Sequence, residues 1–376
     1  MNARSSLIRA SFDIPDDRAA AEPPEVRGLE RDGVRLLVAG PSGTIHTTFK
    51  EISPYLRRGD LVVVNTSATL PAAVEGERES GRRVVVHFST RLDDCTWTVE
   101  LRSPDASGPL LDGISGERIL LNGGAQLEIL SALSGPEGRS RLVRVSTTAR
   151  CIEEYLETFG RPIAYTYLKG RHPLSMYQTI FARDPGSAEM PSAARPFTTA
   201  LVTQMVSQGI VFAPILLHAG VSSLERGESP LPERYRVTAE TARLVNETHR
   251  AGSSVIAVGT TVTRALETVT DEGGSVMPGE GWTDLVLSPA RPARVVDGLI
   301  TGWHTSDASH QLLLEAIAGE GLVDRTYDAA IRSGYLWHEF GDSCLLLPDR
   351  GAPHEGGPTW ISVATSRGDR SQGMTP

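Results

Sequence analysis

The feature that most constrains the fold is a change in hydrophobic pattern along the chain. Two continuous apolar runs, DLVVVN at Asp60–Asn65 and SVIAV at Ser254–Val258, are typical of strands buried on both faces. After residue 150, such strands alternate with predicted helices, two of them capped by Thr198 and Thr238. Alternation of this kind indicates an α/β fold with a largely parallel sheet flanked by helices.

Between about residues 70 and 145 the pattern is different. Short β-rich pieces such as RRVVVHF, TWTVELR and RLVRVS alternate with clusters of Gly, Pro, Ser and Asp, and no helical stripe occurs. Short strands separated by frequent turns are typical of a small all-β barrel or sandwich. This block is therefore predicted to be inserted into the α/β domain or to lie beside it.

Composition excludes several classes of protein. A length of 376 residues predicts two domains at roughly 150 residues each, and no apolar run reaches the ~18 residues of a membrane-spanning helix. The three cysteines, Cys95, Cys151 and Cys344, are scattered and form no CxxC pair, which argues against a disulfide framework or zinc site and fits a cytoplasmic protein. The motifs of P-loop NTPases, Rossmann dehydrogenases, zincins and α/β-hydrolases are absent from the sequence.

The basic residues of the chain are almost all arginine. Lys50 and Lys169 are the two lysines, so 35 of the 37 basic residues are arginines, which fits codon bias or the recognition of anions. A net charge of −9 speaks on average against a nucleic-acid partner. A local arginine patch can nevertheless bind RNA, because the average charge says little about one surface.

The strongest local candidate site is the stretch SVIAVGTTVTRALET. It predicts a buried strand that passes through a Gly-Thr-Thr turn into a helix, and both strand ends and helix N-termini are places where ligands bind. Thr260 and Thr261 supply hydroxyls, while Arg264 and Glu267, three residues apart, share a face of the helix. The same residues also fit a capped helix with a surface ion pair.

Two further stretches place polar groups beside strands. In ILLHAGVSS, His218 and Gly220 follow a buried strand, although a histidine there can equally serve as the partner of a backbone carbonyl. In VVDGLITGWH, Asp297 and His304 flank a strand-like stretch. Trp303 sets an aromatic face beside the imidazole, where a cation could rest.

A fourth candidate is the loop MYQTIFARDPGSAEMPSAARPFTTA, which is punctuated by Gly and Pro and precedes a predicted helix. Such a loop suits ligand binding. Tyr177 and Gln178 offer hydrogen bonds, Ser192 lies among small residues, and Phe197 follows in the same loop. A plain surface connection is the simpler interpretation.

Taken in order, these stretches resemble the S-adenosylmethionine:tRNA ribosyltransferase-isomerase family of queuosine biosynthesis. The resemblance extends over nearly the whole chain and depends on the order and spacing of the motifs. The matching motifs are FDIP from Phe12, RGDLVVVNTSATLPA from Arg58, YQTIFARDPGS from Tyr177, LLHAG from Leu216, RYRVTAETARLVN from Arg234, SVIAVGTTVTRALE from Ser254, VVDGLITGWH from Val295 and GDSCLLLP from Gly341.

The resemblance implies both a fold and a reaction. It implies an α/β catalytic domain formed by residues 1–68 and 150–348, an inserted β-barrel domain at 69–149, and a tail at 349–376 that we predict to be disordered. The implied reaction transfers the ribosyl part of S-adenosylmethionine to 7-aminomethyl-7-deazaguanine in tRNA and isomerises it to an epoxycyclopentane. Adenine and methionine are released, no metal is implied, and the expected partner is a tRNA anticodon arm, with no membrane.

This chemistry suggests roles for the candidate residues. A base must remove a proton beside the sulfonium, an acid or base must serve the departing adenine, and the methionine carboxylate favours arginine or backbone N–H groups. The proposed catalytic residues are His218, His304, Glu267 and Asp297. The proposed substrate-binding residues are Tyr177, Gln178, Ser192, Phe197, Gly220, Thr260, Thr261, Arg264 and Trp303.

The chain departs from the family pattern in the motif loops. Where the family usually reads proline followed by TAGLHFT, this chain reads PSAARPFT at 191–198, so Arg195 and Pro196 replace a Leu-His pair. The buried strands remain apolar, which indicates a folded and diverged member. Two alternatives stay open: an S-adenosylmethionine-using paralogue with a small-molecule or nucleoside substrate, and a non-catalytic nucleoside-binding relative. The retained His218 and His304 favour catalysis.

Overall fold

The protein is described by a computed structural model at residues 18–93, 95–105, 108–133, 140–221, 231–304 and 309–349. The predicted tail, 349–376, lies outside this part of the chain apart from Asp349. The strands are β1 (Arg35–Gly40), β2 (Gly43–Thr48), β3 (Leu61–Asn65), β4 (Ser67–Thr69), β5 (Ala73–Arg78), β6 (Arg83–Arg91), β7 (Thr96–Arg102), β8 (Arg118–Leu121), β9 (Gln126–Ala132), β10 (Leu142–Thr147), β11 (Asp184–Ser187), β12 (Val211–Leu217), β13 (Glu233–Val237), β14 (Val255–Val258), β15 (Gly279–Thr283), β16 (Gly298–Gly302) and β17 (Ser343–Leu346). The α-helices are α1 (Ile152–Phe159), α2 (Thr199–Ser207), α3 (Ala239–Arg250), α4 (Thr260–Thr268), α5 (Ser309–Ala318) and α6 (Glu320–Arg332).

A nine-stranded sheet in the order β15-β13-β12-β3-β14-β16-β17-β1-β2 forms the α/β part. The prediction of a largely parallel sheet is not confirmed, because the sheet is mixed. The central strands β12, β3, β14 and β16 are parallel, whereas β13 and β15 pair antiparallel at one edge and β1 and β2 at the other. β16 and β17 are antiparallel as well. Two residues connect β1 to β2, and a connection that short can join only antiparallel strands.

The central strands are apolar throughout because both faces of the sheet are covered. Leu61 and Val63 of β3 point into one core together with Val262 and Ala265 of α4. The alternate residues of β3 point into a second core on the other face, which also contains Phe197. Side chains alternate between the two faces of a strand, so a strand covered on both sides reads as a continuous apolar run.

The helix starts that the sequence predicted are confirmed. α2 begins after Thr198, whose hydroxyl accepts a hydrogen bond from the Leu201 N–H. α3 begins after Thr238, whose hydroxyl accepts one from the Thr241 N–H. Each cap satisfies a backbone donor that the first turn of a helix leaves free.

The predicted small β-barrel is also confirmed, as a closed barrel in the order β10-β7-β6-β5-β8-β9. Its interior contains Phe88 and Trp97, which meet edge to face with ring centroids 5.7 Å apart. Closure leaves the barrel without a free sheet edge. None of the helices in the described ranges has both the length and the apolar character needed to cross a membrane.

Candidate active site

The candidate site lies where three parallel strands end side by side. β3 ends at Asn65, β12 is followed by His218, and β14 is followed by Gly259 and the N-terminus of α4. β3 lies between β12 and β14 in the sheet, so these three ends are adjacent. In open α/β sheets, ligands bind in the crevice at such carboxyl ends.

Asn65 holds the three strand ends together. This fully buried side chain accepts hydrogen bonds from the backbone N–H of Leu217 (3.0 Å) and of Ser67 (3.1 Å). Its amide nitrogen donates to the Leu217 carbonyl at 2.8 Å and reaches the Thr261 hydroxyl at 3.5 Å. The amide therefore sets the positions of Thr261 and of the residue that precedes His218.

His218 is held by a chain of hydroxyl groups. Its Nδ1 lies 2.8 Å from Ser67 Oγ, which lies 2.6 Å from Ser187 Oγ, and that oxygen accepts the Ala219 N–H at 3.0 Å. Burial, reinforced by the positive charge of Arg234, lowers the pKa of His218 to about 4. The imidazole is therefore neutral near pH 7, and Nε2 is the ring nitrogen left for a substrate among the described contacts.

Two glycines let the backbone approach this centre closely. A Cβ atom added at Gly186 would lie 2.5 Å from the His218 ring. One added at Gly220 would lie 2.7 Å from Ser89 Oγ and 2.9 Å from Thr90 Oγ1, two hydroxyls of the barrel strand β6. Gly186 therefore allows a loop to pack on the imidazole, and Gly220 allows the barrel to meet the sheet at the candidate site.

Arg264 and Glu233 form a buried ion pair beside Gly220. Arg264 donates to Glu233 and to the carbonyls of Thr283 and Leu285, both at 3.1 Å. The other carboxylate oxygen of Glu233 accepts the Gly220 N–H at 3.2 Å. Burial raises the pKa of Glu233, although Arg264 opposes this shift. Arg264 thus positions Glu233 and, through it, the turn after His218.

The predicted loop residues occupy different environments. Gln178 uses its side-chain amide to pair with the backbone of Thr69, accepting at 3.0 Å and donating at 2.7 Å. Tyr177 is buried against Phe340, with ring centroids 5.2 Å apart. Phe197 is fully buried in the second core, where it packs against apolar side chains. Ser192 lines a cavity beside the turn that precedes β17. The other residues that line this cavity are Pro24, Val34, Arg195, Pro196, Gly302, His338, Glu339, Phe340, Gly341, Asp342 and Ser343.

Glu267 and Asp297 lie at the opposite, amino-terminal end of the parallel strands. The Glu267 carboxylate accepts backbone N–H groups from Arg294, Val295 and Val296 at 2.9–3.3 Å. Asp297 accepts the Val255 N–H at 2.7 Å and lies 2.8 Å from Nε2 of His249. Both carboxylates orient backbone at that end, and their catalytic role stays a prediction.

Trp303 and His304 follow β16; Trp303 is buried, whereas His304 is partly exposed. The Trp303 indole is 1% exposed and meets the rings of Tyr327, Tyr335 and Trp337 at 5.3–5.6 Å. His304 lies against His310 with ring centroids 3.6 Å apart, and burial lowers its pKa well below the usual value. The structure therefore places Trp303 in the core, at the carboxyl end of β16, the parallel neighbour of β14.

Several site residues were missed by the sequence analysis. Asn65 ends a buried strand and Ser67 comes two residues later, so their place in the sequence could have identified them as candidate ligand-binding residues. Ser187 and Glu233 carry no such signal, because each reaches the site only through folding contacts with distant residues. Within the described ranges, no three His, Cys, Asp or Glu side chains come together as metal ligands.

Comparison with known proteins gives matches over about nine tenths of the chain. A family model described as queuosine biosynthesis protein matches residues 8–346. The S-adenosylmethionine:tRNA ribosyltransferase-isomerase of Symbiobacterium thermophilum is 34% identical over 348 residues, covering 89% of this chain and 98% of the relative. That of Pelotomaculum thermopropionicum is 33% identical over 355 residues, covering 91% and 100%. A solved S-adenosylmethionine tRNA ribosyltransferase from Thermotoga maritima is 25% identical, covers 90% of this chain and 99% of its own, and has a TM-score of 0.49.

Proposed function

The chain belongs to the queuosine biosynthesis protein family, and from this premise we propose that it is an S-adenosylmethionine-dependent ribosyltransferase-isomerase acting on tRNA. It transfers the ribosyl part of S-adenosylmethionine to 7-aminomethyl-7-deazaguanine in the anticodon arm and isomerises that part to an epoxycyclopentane. Adenine and methionine leave. The observation that carries the proposal is 33–34% identity, over about nine tenths of the chain, to relatives named for this activity.

His218 is the proposed proton-transfer group. The reaction needs a base that removes a proton beside the sulfonium, and a neutral imidazole with one ring nitrogen already hydrogen-bonded suits that task. Ser67 holds Nδ1 at 2.8 Å, which orients Nε2 and leaves it to accept the proton. The serine hydroxyls of Ser67 and Ser187, 2.6 Å apart, can reorient as the ring changes charge.

The start of α4 is the proposed site for the methionine carboxylate. The backbone N–H groups of a helix's first turn have no partner within the helix and attract anions. Thr260 and Thr261 begin α4 at the same edge of the sheet as His218, and Asn65 links the hydroxyl of Thr261 to β12. Arg264 uses its donors for Glu233 and two carbonyls, so it supports this site through Glu233.

Replacing Gly186 with alanine is expected to lower kcat by about 10²-fold, the typical cost of misplacing a catalytic group by ~1 Å. The added methyl would lie 2.5 Å from the imidazole of His218, so the ring or the loop must move. Adenine release measured by chromatography tests this prediction. Gly116→Ala is the matched control, because its φ is also positive, +86°, but a Cβ there meets nothing within 4 Å. Wild-type kcat in Gly186→Ala would contradict the prediction.

The pH dependence of the reaction should report the lowered pKa of His218. If neutral His218 is the base, protonation inactivates it, so kcat/KM should stay high as the pH falls through 6.5 and should decline toward about pH 4. The ordinary value for histidine is ~6.5. Adenine release between pH 4 and 8 measures the acidic limb, and circular dichroism identifies the range in which the protein stays folded. An acidic limb centred at 6.5 would contradict this assignment.

The proposed function is tested by incubating the purified protein with S-adenosylmethionine, with and without tRNA that carries 7-aminomethyl-7-deazaguanine. Mass spectrometry of the digested tRNA and of the small molecules reports the products. Adenine and methionine released only in the presence of this tRNA, together with the modified nucleoside, is the expected result. Absence of turnover with the precursor tRNA would refute the proposal and favour a non-catalytic nucleoside-binding relative.

A small-molecule or free-nucleoside acceptor is the second candidate, and the loop at 191–198 favours it. Arg195, which replaces part of the family's Leu-His pair, is 2% exposed, donates to Glu25 at 2.7 Å and to the Met176 carbonyl at 2.9 Å. The contacts of Arg195 therefore help to hold this loop at the position where the chain departs from the family pattern. Turnover of S-adenosylmethionine without tRNA, in the presence of a free nucleoside, would support this second candidate.

A further inference from the structure

A second group of side chains, outside the hydrogen-bond network of His218, combines stacked rings with carboxylates. Tyr165 and Tyr167 stack with centroids 6.0 Å apart and planes inclined by 20°, and His338 stacks on Tyr167 at 4.4 Å and 14°. The Tyr165 hydroxyl donates to Glu189, and the Tyr167 hydroxyl donates to Glu339. We call these five residues the aromatic–carboxylate cleft; all five are partly exposed.

The two carboxylates lie toward the same end of the stacked rings. A phenol hydroxyl stands at the edge of its ring, so each glutamate lies beside a ring edge rather than over a face. Burial raises the pKa of Tyr165, and the charges of Glu189 and Glu339 raise it further, so both carboxylates are close to that hydroxyl. A flat ligand on the stack would therefore find two negative charges at its edge.

The negative charge of the cleft is poorly compensated at Glu339. Burial raises the pKa of Glu339, and the groups that oppose this shift are the Tyr167 hydroxyl and a backbone N–H, with no cation among them. His338 cannot compensate, because burial lowers its pKa and keeps it neutral. A partly buried carboxylate that no cation among these groups compensates is unfavourable, so a bound cation would be favoured here.

The backbone holds His338 in place at a cost. It is the one non-glycine residue in the described ranges with a positive φ, +72°, a backbone conformation that residues with a Cβ rarely adopt. Its N–H donates to the Trp303 carbonyl at 3.1 Å, and its own carbonyl accepts the Gly341 N–H at 3.0 Å. His338 and Glu339 also line the cavity that contains Ser192.

The cleft adjoins the candidate active site. Glu189 lies three residues after Gly186, which packs on His218, and its negative charge raises the pKa of Glu233, the partner of Arg264. A ligand in the cleft would thus lie next to the residues proposed to act on S-adenosylmethionine.

We propose that the aromatic–carboxylate cleft binds the acceptor base, with the deazaguanine ring stacked on the aromatic rings and its primary ammonium donating to Glu189 and Glu339. This inference rests on the proposed function. In the acceptor base the primary ammonium is one carbon from the ring, so the ring can stack while the three N–H groups donate to the two carboxylates. In S-adenosylmethionine the ribose and the methionine chain separate the α-ammonium from the adenine ring, so one compact site fits the acceptor better. The cleft then distinguishes an aminomethyl base from unmodified guanine.

The test compares two anticodon stem-loop RNAs that carry 7-aminomethyl-7-deazaguanine or 7-methyl-7-deazaguanine. The full-length protein should bind the aminomethyl RNA about 10- to 100-fold more tightly, the range expected for hydrogen bonds to a charged group, by fluorescence anisotropy at one fixed salt concentration. Glu339→Gln, which keeps shape and removes charge, should reduce this preference to below about 3-fold. Glu189→Gln is the second variant should the first fail to fold.

Controls separate this inference from the proposed function. Glu272→Gln, on an exposed turn, should keep the full preference, and S-adenosylmethionine should bind Glu339→Gln as it binds the wild type. Equal binding of the two RNAs by the wild type, or an unchanged preference in both glutamine variants, would overturn the inference. A large loss of S-adenosylmethionine binding with an unchanged RNA preference would assign the cleft to the donor and also overturn it. Turnover is measured separately, so a protein that discriminates between the RNAs but releases no adenine refutes only the proposed function.

Discussion

Replacing His218 with alanine is expected to lower kcat for adenine release by about 10²- to 10⁴-fold, the usual contribution of a general base. The physical reason is the state of this imidazole at the carboxyl edge of the sheet. Burial keeps it neutral, and Ser67 holds Nδ1 at 2.8 Å, which fixes the orientation of the ring. The dissociation constant of S-adenosylmethionine should change much less, because the imidazole acts mainly in the transition state.

Two companion variants identify the origin of this loss. Ser67→Ala should lower kcat by a smaller factor and should move the acidic limb of the pH profile, because Ser67 positions the ring without touching the reacting atoms. His249→Gln is the matched control: its imidazole is also hydrogen-bonded, to Asp297 at 2.8 Å, but lies at the other end of the sheet. Activity in His218→Ala within a factor of three of the wild type would refute the assignment.

Replacing Glu100 with alanine is expected to lower the free energy of unfolding by about 3–5 kcal/mol. This carboxylate is 1% exposed, lies on the face of β7 opposite the barrel interior, and accepts hydrogen bonds from Arg141 at 2.8 Å and Arg102 at 2.9 Å. Without Glu100 the two guanidinium groups would stay buried with a lost partner, and an uncompensated buried charge is among the most destabilising changes known. Urea denaturation monitored by far-UV circular dichroism measures the difference.

The pH dependence of stability gives an independent test of the same group. Burial opposes ionisation of Glu100, but a polar contact with His87 Nδ1 at 3.6 Å and hydrogen bonds from Arg141 and Arg102 outweigh it and lower the pKa to about 2. Because the pKa is lower in the folded state than in the unfolded state, the stabilisation is complete above about pH 4.5 and is lost as the pH falls toward 2. Glu128→Ala is the control, since its contact with Arg118 is exposed and long, at 3.9 Å, and should matter by less than ~1 kcal/mol. A loss in Glu100→Ala no larger than in Glu128→Ala would contradict the prediction.

The order of the chain's elements could be predicted because it depends on local pattern. The runs at Asp60–Asn65 and Ser254–Val258 are apolar because both sheet faces are covered, and Thr198 and Thr238 cap helices through contacts three residues away. The direction of the outer strands could not be predicted in the same way. Whether β17 runs parallel or antiparallel to its neighbours depends on pairing with β1, about 300 residues away.

The site was partly predictable for the same reason. His218, Gly220, Thr260 and Thr261 follow buried strands, so their position at the sheet edge was readable from sequence, and the structure gathers them there. Glu267 and Arg264 share a helix, yet Arg264 reaches Glu233 while Glu267 binds backbone at the amino end of the sheet. Three residues of helix separate the two side chains by nearly one turn along the axis, which places them toward different ends of the strands.

The sequence by itself determined the family, the strand and helix order, and the histidine that follows β12, because each is encoded in short stretches with their own period or motif. Only the tertiary structure decided what surrounds those groups. Ser67 and Ser187 are 120 residues apart, and Tyr167 and Glu339 are 172 apart, yet both pairs are in hydrogen-bond contact. The pKa of an imidazole and the charge of a cleft depend on burial and on such distant partners, which no local pattern records.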